Sequence, residues 1–231
     1  QALANVGSMT EAGTLPIIVL DLDSTLFDTA PRNLRILREF AAHNHHKPDI
    51  AAVVDTMSLA DMGWNVTGAL KKAGVDDEEL LAALKKFWAQ RFFTDEYLAF
   101  DEPSPGAVSY CHELWNAGAL MYYLTGRHIG GMELGTLRNL VRHNFPWGSG
   151  RTIMHLKPSF HQSDEEFKQD AIRAIESLGG QVAAAFENEP ANCNLLHAAF
   201  PHAASYFLDT VHSPRPDRPH EAALWLKDFR R

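Results

Sequence analysis

The stretch VLDLDSTLFDT, residues 19–29, sets Asp21, Asp23 and Asp28 at the end of an apolar run, PIIVL, from Pro16 to Leu20. Ile17, Ile18 and Val19 are β-branched and suit a buried strand. Side chains alternate along extended chain, so Asp21 and Asp23 can face one pocket. Two readings fit. The aspartates end the strand and turn the chain, or they do chemistry where it leaves the core.

The chain has 231 residues, 45% of them hydrophobic, enough for one good core and a small second lobe. Its net charge is -8 and no basic patch stands out, which argues against a nucleic-acid partner. No stretch approaches the roughly 18 apolar residues of a membrane span. No signal segment is visible at the start, so a cytoplasmic location is expected. Cys111 and Cys193 lack metal-type spacing and read as packing residues. Residues 1–13 are small and polar, and read as a disordered or expression-derived segment.

Downstream, Pro31 sits near a helix start, and Leu34, Leu37, Phe40 and Ala41 recur at helical spacing. Helices are expected at Ile50–Met57 and Trp64–Ala73, and after Asp76, which forms a capping-box pattern with Glu79. Residues 30 to 103 therefore read as all-helical. Beyond Pro103-Ser104-Pro105-Gly106, strands and helices alternate. Strands are expected at Ala119–Leu124, Arg151–Leu156, Val182–Phe186 and Ser205–Leu208. Helices are expected at Ala107–Asn116, Met132–His143, from Ser163 to Leu178, from Pro190 to Ala199, and over Glu221–Phe229. The pattern implies an α/β fold, a doubly wound parallel sheet with an inserted all-helical unit. Ligands bind beyond the carboxyl ends of such strands, which brings Asp21, Asp23, Thr125, Glu187 and Asn188 to one edge.

Two nearby carboxylates repel unless a cation lies between them or one takes a proton. Mg²⁺ fits, since it uses one or two carboxylates plus substrate phosphate. An ionised aspartate is also a competent nucleophile towards phosphorus.

The motif DLDSTLFDT resembles the first motif of the haloacid dehalogenase-like (HAD) superfamily, and PGAVSYCHELWNAGALMYYLTGR, residues 105–127, resembles the family's next helix, strand and second motif. The resemblance covers residues 16–28 and about 105–210. It implies a Rossmann-like core over residues 14–29 and 104–231, with residues 30–103 as a cap domain. Asp21 matches the nucleophile that forms an aspartyl-phosphate and binds Mg²⁺. Asp23 matches the general acid/base and lends its backbone carbonyl to the metal; its presence argues against the dehalogenase branch. That role requires Asp23 to hold a proton, through a raised pKa. Thr125 matches the hydroxyl that holds a phosphate oxygen, helped by backbone N–H groups around Leu22 and Gly126. Lys168 is preferred to Lys157 as the third-motif lysine, because the helix leading into the last motif usually carries it. The fourth motif departs from the family's acidic pair. In FENEP, Glu187 takes the first metal position and Asn188 the second, with Glu189 and Asn192 as further candidates.

The leading expectation is a Mg²⁺-dependent phosphatase acting on a small phosphorylated metabolite. The alternatives are a phosphomutase of the same superfamily and a catalytically weakened binding protein. Arg127 either touches substrate or bridges to an acid. Asp28 either caps the next helix with Thr29 or lines the cap hinge. His43, His45 and His46 read as a solvated helix end. The sequence leaves the oligomeric state open.

Overall fold

A computed structural model describes residues 1–44 and 48–230. His45 and His46, of the histidine cluster, lie outside the described residues. In chain order the elements are α1 (Ala2–Glu11), β1 (Pro16–Leu20), β2 (Phe27–Asp28), α2 (Ala30–His43), α3 (Pro48–Thr56), α4 (Val66–Lys72), α5 (Glu78–Phe92), β3 (Glu102–Pro103), α6 (Ala107–Asn116), β4 (Leu120–His128), α7 (Ile129–Arg142), β5 (Thr152–Lys157), α8 (Asp164–Glu176), β6 (Gln181–Glu187), α9 (Pro190–Ala199), β7 (Ala204–Leu208) and β8 (Leu224–Leu226).

Six strands form one sheet in the order β5-β4-β1-β6-β7-β8, and every pairing is parallel. The alternation of β1 is read out directly. Ile18 and Leu20 pack with α1, α6 and Leu140 of α7 on one face. Ile17 and Val19 pack with Phe167, Ala171 and Ile175 of α8 and Leu196 of α9 on the other. The chain is therefore doubly wound, as expected, and β1 lies between β4 and β6.

Leu34, Leu37, Phe40, Leu70, Leu80 and Leu84 belong to a separate apolar cluster confined to residues 34–84. The chain leaves the sheet for these helices and returns through neighbouring segments. Phe27 and Asp28 pair antiparallel with Pro103 and Glu102, so β2 and β3 clamp the two crossings together.

Three expectations are corrected. Residues 1–13 are not disordered: α1 buries Ala2 and Val6, one turn apart, against the sheet, and Asn5 Nδ2 donates to the Ala183 carbonyl at 3.0 Å. The helix expected over Glu221–Phe229 is instead a loop with strand β8, because pairing with the open edge of β7 satisfies its backbone groups. Asp77, not Asp76, caps α5, its carboxylate accepting from Leu80 N at 3.0 Å. Among the described residues, no helix is long and apolar enough to cross a membrane.

Candidate active site

The carboxyl ends of β1, β4 and β6 meet beneath the helical insert. There a cavity of about 550 Å³ is lined by Asp21, Asp23, Thr125, Gly126, Arg127, Lys157, Lys168, Glu187 and Asn188, among others. Leu22 is fully buried, and its carbonyl accepts from Thr25 N and Phe27 N, which folds the loop back behind Asp23. Ser24 holds φ at +60°, a left-handed conformation that a non-glycine residue adopts at a cost. Its N–H donates to the Phe27 carbonyl at 2.7 Å, so the turn is fixed from both sides.

Asp21 is almost fully buried. Lys168 Nζ donates to Asp21 Oδ1 at 3.2 Å and to Glu187 Oε2 at 2.9 Å. Burial, then the neighbouring Glu187, raise the Asp21 pKa to about 8, against the pull of Lys168. Burial disfavours the charged lysine, but Glu187 and Asp21 outweigh it and hold Lys168 protonated, well above the usual range. One ammonium thus serves two buried carboxylates. Lys157 is engaged elsewhere, donating to Asp164 Oδ1 at 2.7 Å.

Asp23 has a different environment. Arg32 Nη2 donates to its Oδ1 at 2.5 Å, and Arg127 Nη2 and Nε donate at 2.7 and 3.2 Å. Both guanidiniums also bind Asp101, Arg32 through Nε and Arg127 through Nη2, each at 2.8 Å. Arg32, Arg127 and the Asp101 side chain are completely buried, whereas Asp23 is 32% exposed. Burial alone would raise the Asp23 pKa, but Arg127 and Arg32 outweigh it and hold the carboxyl well below its usual range. The expectation of a raised pKa at Asp23 is therefore corrected: two cations face it, and it stands ionised. Asp101, by contrast, is pushed up to about 6 by burial.

Thr125 is buried, and its Oγ1 accepts from Arg127 N at 3.2 Å. That leaves the hydroxyl proton for another acceptor. Gly126 is exposed at the cavity wall. Glu187 Oε1 accepts from the N–H groups of Asn188 and Glu189 at 3.2 and 3.1 Å. Both ends of the Asn188 amide are engaged: Oδ1 accepts from Thr25 Oγ1 at 3.2 Å, and Nδ2 donates to the Val211 carbonyl at 2.7 Å. Glu189 is bound to Ser213. Asn188 thus braces the loop behind Glu187, and its Oδ1 keeps a second lone pair beside the one that accepts from Thr25. Among the described residues no three His, Cys, Asp or Glu side chains form a ready-made metal cage. A Mg²⁺ ion held by one or two carboxylates and a substrate phosphate needs none.

Arg32 and Asp101 escaped the sequence reading, although one signal was present. Arg32 shares an i, i+4, i+8 stripe with Ile36 and Phe40, both buried, and so marks a charge on a buried helix face. Asp28, in the β2–β3 ribbon, accepts from Ala30 N at 2.8 Å. Cys111 and Cys193 are buried, unpaired thiols, in keeping with packing roles.

The core is a doubly wound, Rossmann-type α/β fold. Among solved structures, a protein assigned as a phosphatase from Clostridium difficile aligns over 84% of this chain and 85% of its own, at 12% identity and a TM-score of 0.53. A protein assigned as a haloacid dehalogenase-like hydrolase from Bacteroides fragilis aligns over 84% and 87%, at 12% identity and a TM-score of 0.49. A class C acid phosphatase from Bacillus anthracis, with tungstate bound, aligns over 83% of this chain at 17% identity and a TM-score of 0.41; the alignment spans 62% of that protein. No family model matches the chain, and no curated protein matches it in sequence.

Proposed function

We propose that the chain is a Mg²⁺-dependent phosphatase that hydrolyses a small phosphomonoester through an aspartyl-phosphate on Asp21. The observation that carries this reading is the meeting of Asp21, Thr125, Lys168 and Glu187 in one cavity at the strand ends. In it, residues 14–29 and 104–231 act as the core and residues 30–103 as a cap over the reacting centre.

Asp21 Oδ attacks phosphorus and the ester oxygen departs. Lys168 offsets the charge of the nucleophile and the incoming phosphate. The Thr125 hydroxyl, supported by Arg127 N, donates to a phosphate oxygen, with backbone N–H groups near Leu22 and Gly126 as further donors. Asp23, ionised, is set to take a proton from the water that cleaves the acyl phosphate. Protonating the leaving group first requires Arg127 and Arg32 to loosen their hold on it.

The residues fit a hard divalent cation. Asp21 and Glu187 offer carboxyl oxygens at the cavity, and a carboxyl raised to about 8 calls for more positive charge than Lys168 supplies. These two side chains, with the Asp23 carbonyl, would hold Mg²⁺. When bound, the ion supplies charge neutralisation to the nucleophile and the phosphate.

The test is turnover of a generic aryl phosphate. Hydrolysis is expected with Mg²⁺, loss with EDTA, and a loss of about 10³-fold or more in Asp21→Asn. Beryllium fluoride should be trapped on Asp21 in a crystal. Turnover that survives in Asp21→Asn overturns the reading.

A further inference from the structure

The cavity that holds the carboxylates has a second wall, and that wall is aromatic. Trp64, Trp88, Phe92 and Phe93 from the helical insert line it, together with Phe160 from the loop after β5. Four of these rings form a continuous chain: centroids lie 4.5 Å apart for Trp88–Phe92, 5.1 Å for Phe92–Phe93 and 5.0 Å for Phe93–Phe160. Phe160 thus carries the wall across from the insert to the core. Trp64 and Phe160 are 52% and 48% exposed, although both are large apolar side chains. Scattered singly, such side chains need no explanation, but these two border the same cavity as Asp21.

Rings outnumber polar groups on this side, and several of the polar atoms are committed within the insert. Asn65 Oδ1 accepts from Gly68 N at 2.6 Å and from Thr67 Oγ1 at 2.9 Å, which caps α4. Trp88 Nε1 donates to Asn33 Oδ1 at 2.8 Å, leaving the indole with only its ring to offer. A sugar or polyol here would meet mainly ring carbons, with the Asn65 amide N–H groups and Lys85 as the polar groups left to its several hydroxyls. A flat ring would meet faces and edges at the spacings aromatic pairs prefer.

We propose that the substrate is a phosphomonoester bearing a flat aromatic ring, which packs against Phe160, Phe93 and Trp64 while its phosphate meets Asp21. This rests on the phosphatase reading for the reaction but not for the ring site. Phe160 and Trp64 are the specificity-determining residues of the wall. Because both are half exposed, their removal leaves the apolar clusters intact.

Two measurements test this. The first compares kcat/KM, with Mg²⁺, for 1-naphthyl phosphate, a nucleoside 5′-monophosphate and glucose 6-phosphate. At least one aromatic substrate is expected to exceed the sugar phosphate about tenfold or more, and Phe160→Ala and Trp64→Ala to lower that ratio by about three- to tenfold each. The better of the two aromatic substrates reports whether the ring sits next to the phosphate or one sugar away. The second titrates the wild-type protein with 1-naphthylphosphonate and with methylphosphonate, neither of which can be hydrolysed. The naphthyl compound is expected to bind about tenfold tighter, an advantage that shrinks in Phe160→Ala. Equal binding of the two phosphonates, binding of neither, or a preference for glucose 6-phosphate overturns the ring site. Absent turnover with tight naphthylphosphonate binding overturns the phosphatase reading and supports the ring site.

Discussion

Burial and Glu187 lift the Asp21 pKa to about 8, so without an added cation this carboxyl takes up a proton on folding near neutral pH. A carboxyl whose folded pKa exceeds its unfolded value of 3.8 contributes stability that is complete below 3.8 and is lost as pH rises towards 8. Asp101, raised to about 6, works in the same direction. Asp23 is held low, so its contribution is present above 3.8 and is lost as pH falls. The metal-free protein should therefore lose stability between about pH 5 and pH 8. A cation on Asp21 removes the cost of its ionised form, so Mg²⁺ should raise Tm more at about pH 8 than at about pH 5. Thermal melts in EDTA and in Mg²⁺ at the two pH values check this; equal Mg²⁺ shifts would count against it. The convergence of Asp21 and Thr125 was legible in the sequence because each lies at the end of a strand whose pattern is plain, whereas Lys168 was preferred to Lys157 only through the family resemblance. Asp23 was located correctly but given the wrong electrostatics, since its partners Arg32 and Arg127 lie 9 and 104 residues away.

At the scale of elements, the sheet strands rich in β-branched and aromatic residues were the readable part, and α6 and α9 fall at their expected bounds. The failures are elements decided by tertiary partners. α1 is weakly amphipathic and exists because the sheet face needs cover; β8 exists because β7 offers an edge. Gly135 in α7 shows the same override. Helix propensity alone would have an alanine there stabilise by about 0.5–1 kcal/mol. An added Cβ would instead lie 2.6 Å from the Asp95 carbonyl oxygen and 2.8 Å from its Cα, both backbone atoms that cannot rotate away. Asp95 Oδ1 also accepts from Gly135 N at 2.6 Å, fixing the segment that follows α5 onto the core helix. Gly135→Ala is therefore expected to destabilise by about 1–3 kcal/mol, read from the urea midpoint at constant m. Stabilisation instead would mean that the segment around Asp95 yields at little cost.

Across the whole molecule, the apolar packing of the helical insert, over residues 34–84, and that of the sheet form separate clusters. Their links include the Phe93–Phe160 ring contact, the Asp95–Gly135 hydrogen bond, the short ribbon β2–β3, and the buried charge group of Asp23, Arg32, Arg127 and Asp101. Its members come from the loop after β1, from α2, from β4 and from the segment entering β3. Two arginines and two aspartates make the group neutral as a whole, and Asn139 Nδ2 adds a donor to the Leu98 carbonyl beside it at 2.6 Å. Neutrality depends on Asp101, whose side chain is fully buried between both guanidiniums. Asp101→Asn keeps the shape and leaves two buried cations facing Asp23 alone. Removing one partner of a buried ion group costs about 3–5 kcal/mol, so the variant should be destabilised by about that amount. The loss should not be uniform. Arg32 ties α2 to Asp101 and also donates to the Phe92 carbonyl at the end of α5 at 3.0 Å, so the helical insert loses its anchor while the parallel sheet keeps its ladder. Native-state hydrogen exchange should therefore accelerate in α2 and α5 well before it does in β1 and β4. A uniform acceleration across all four elements would show instead that insert and core unfold as one unit, with the charge group holding the molecule together rather than hinging it.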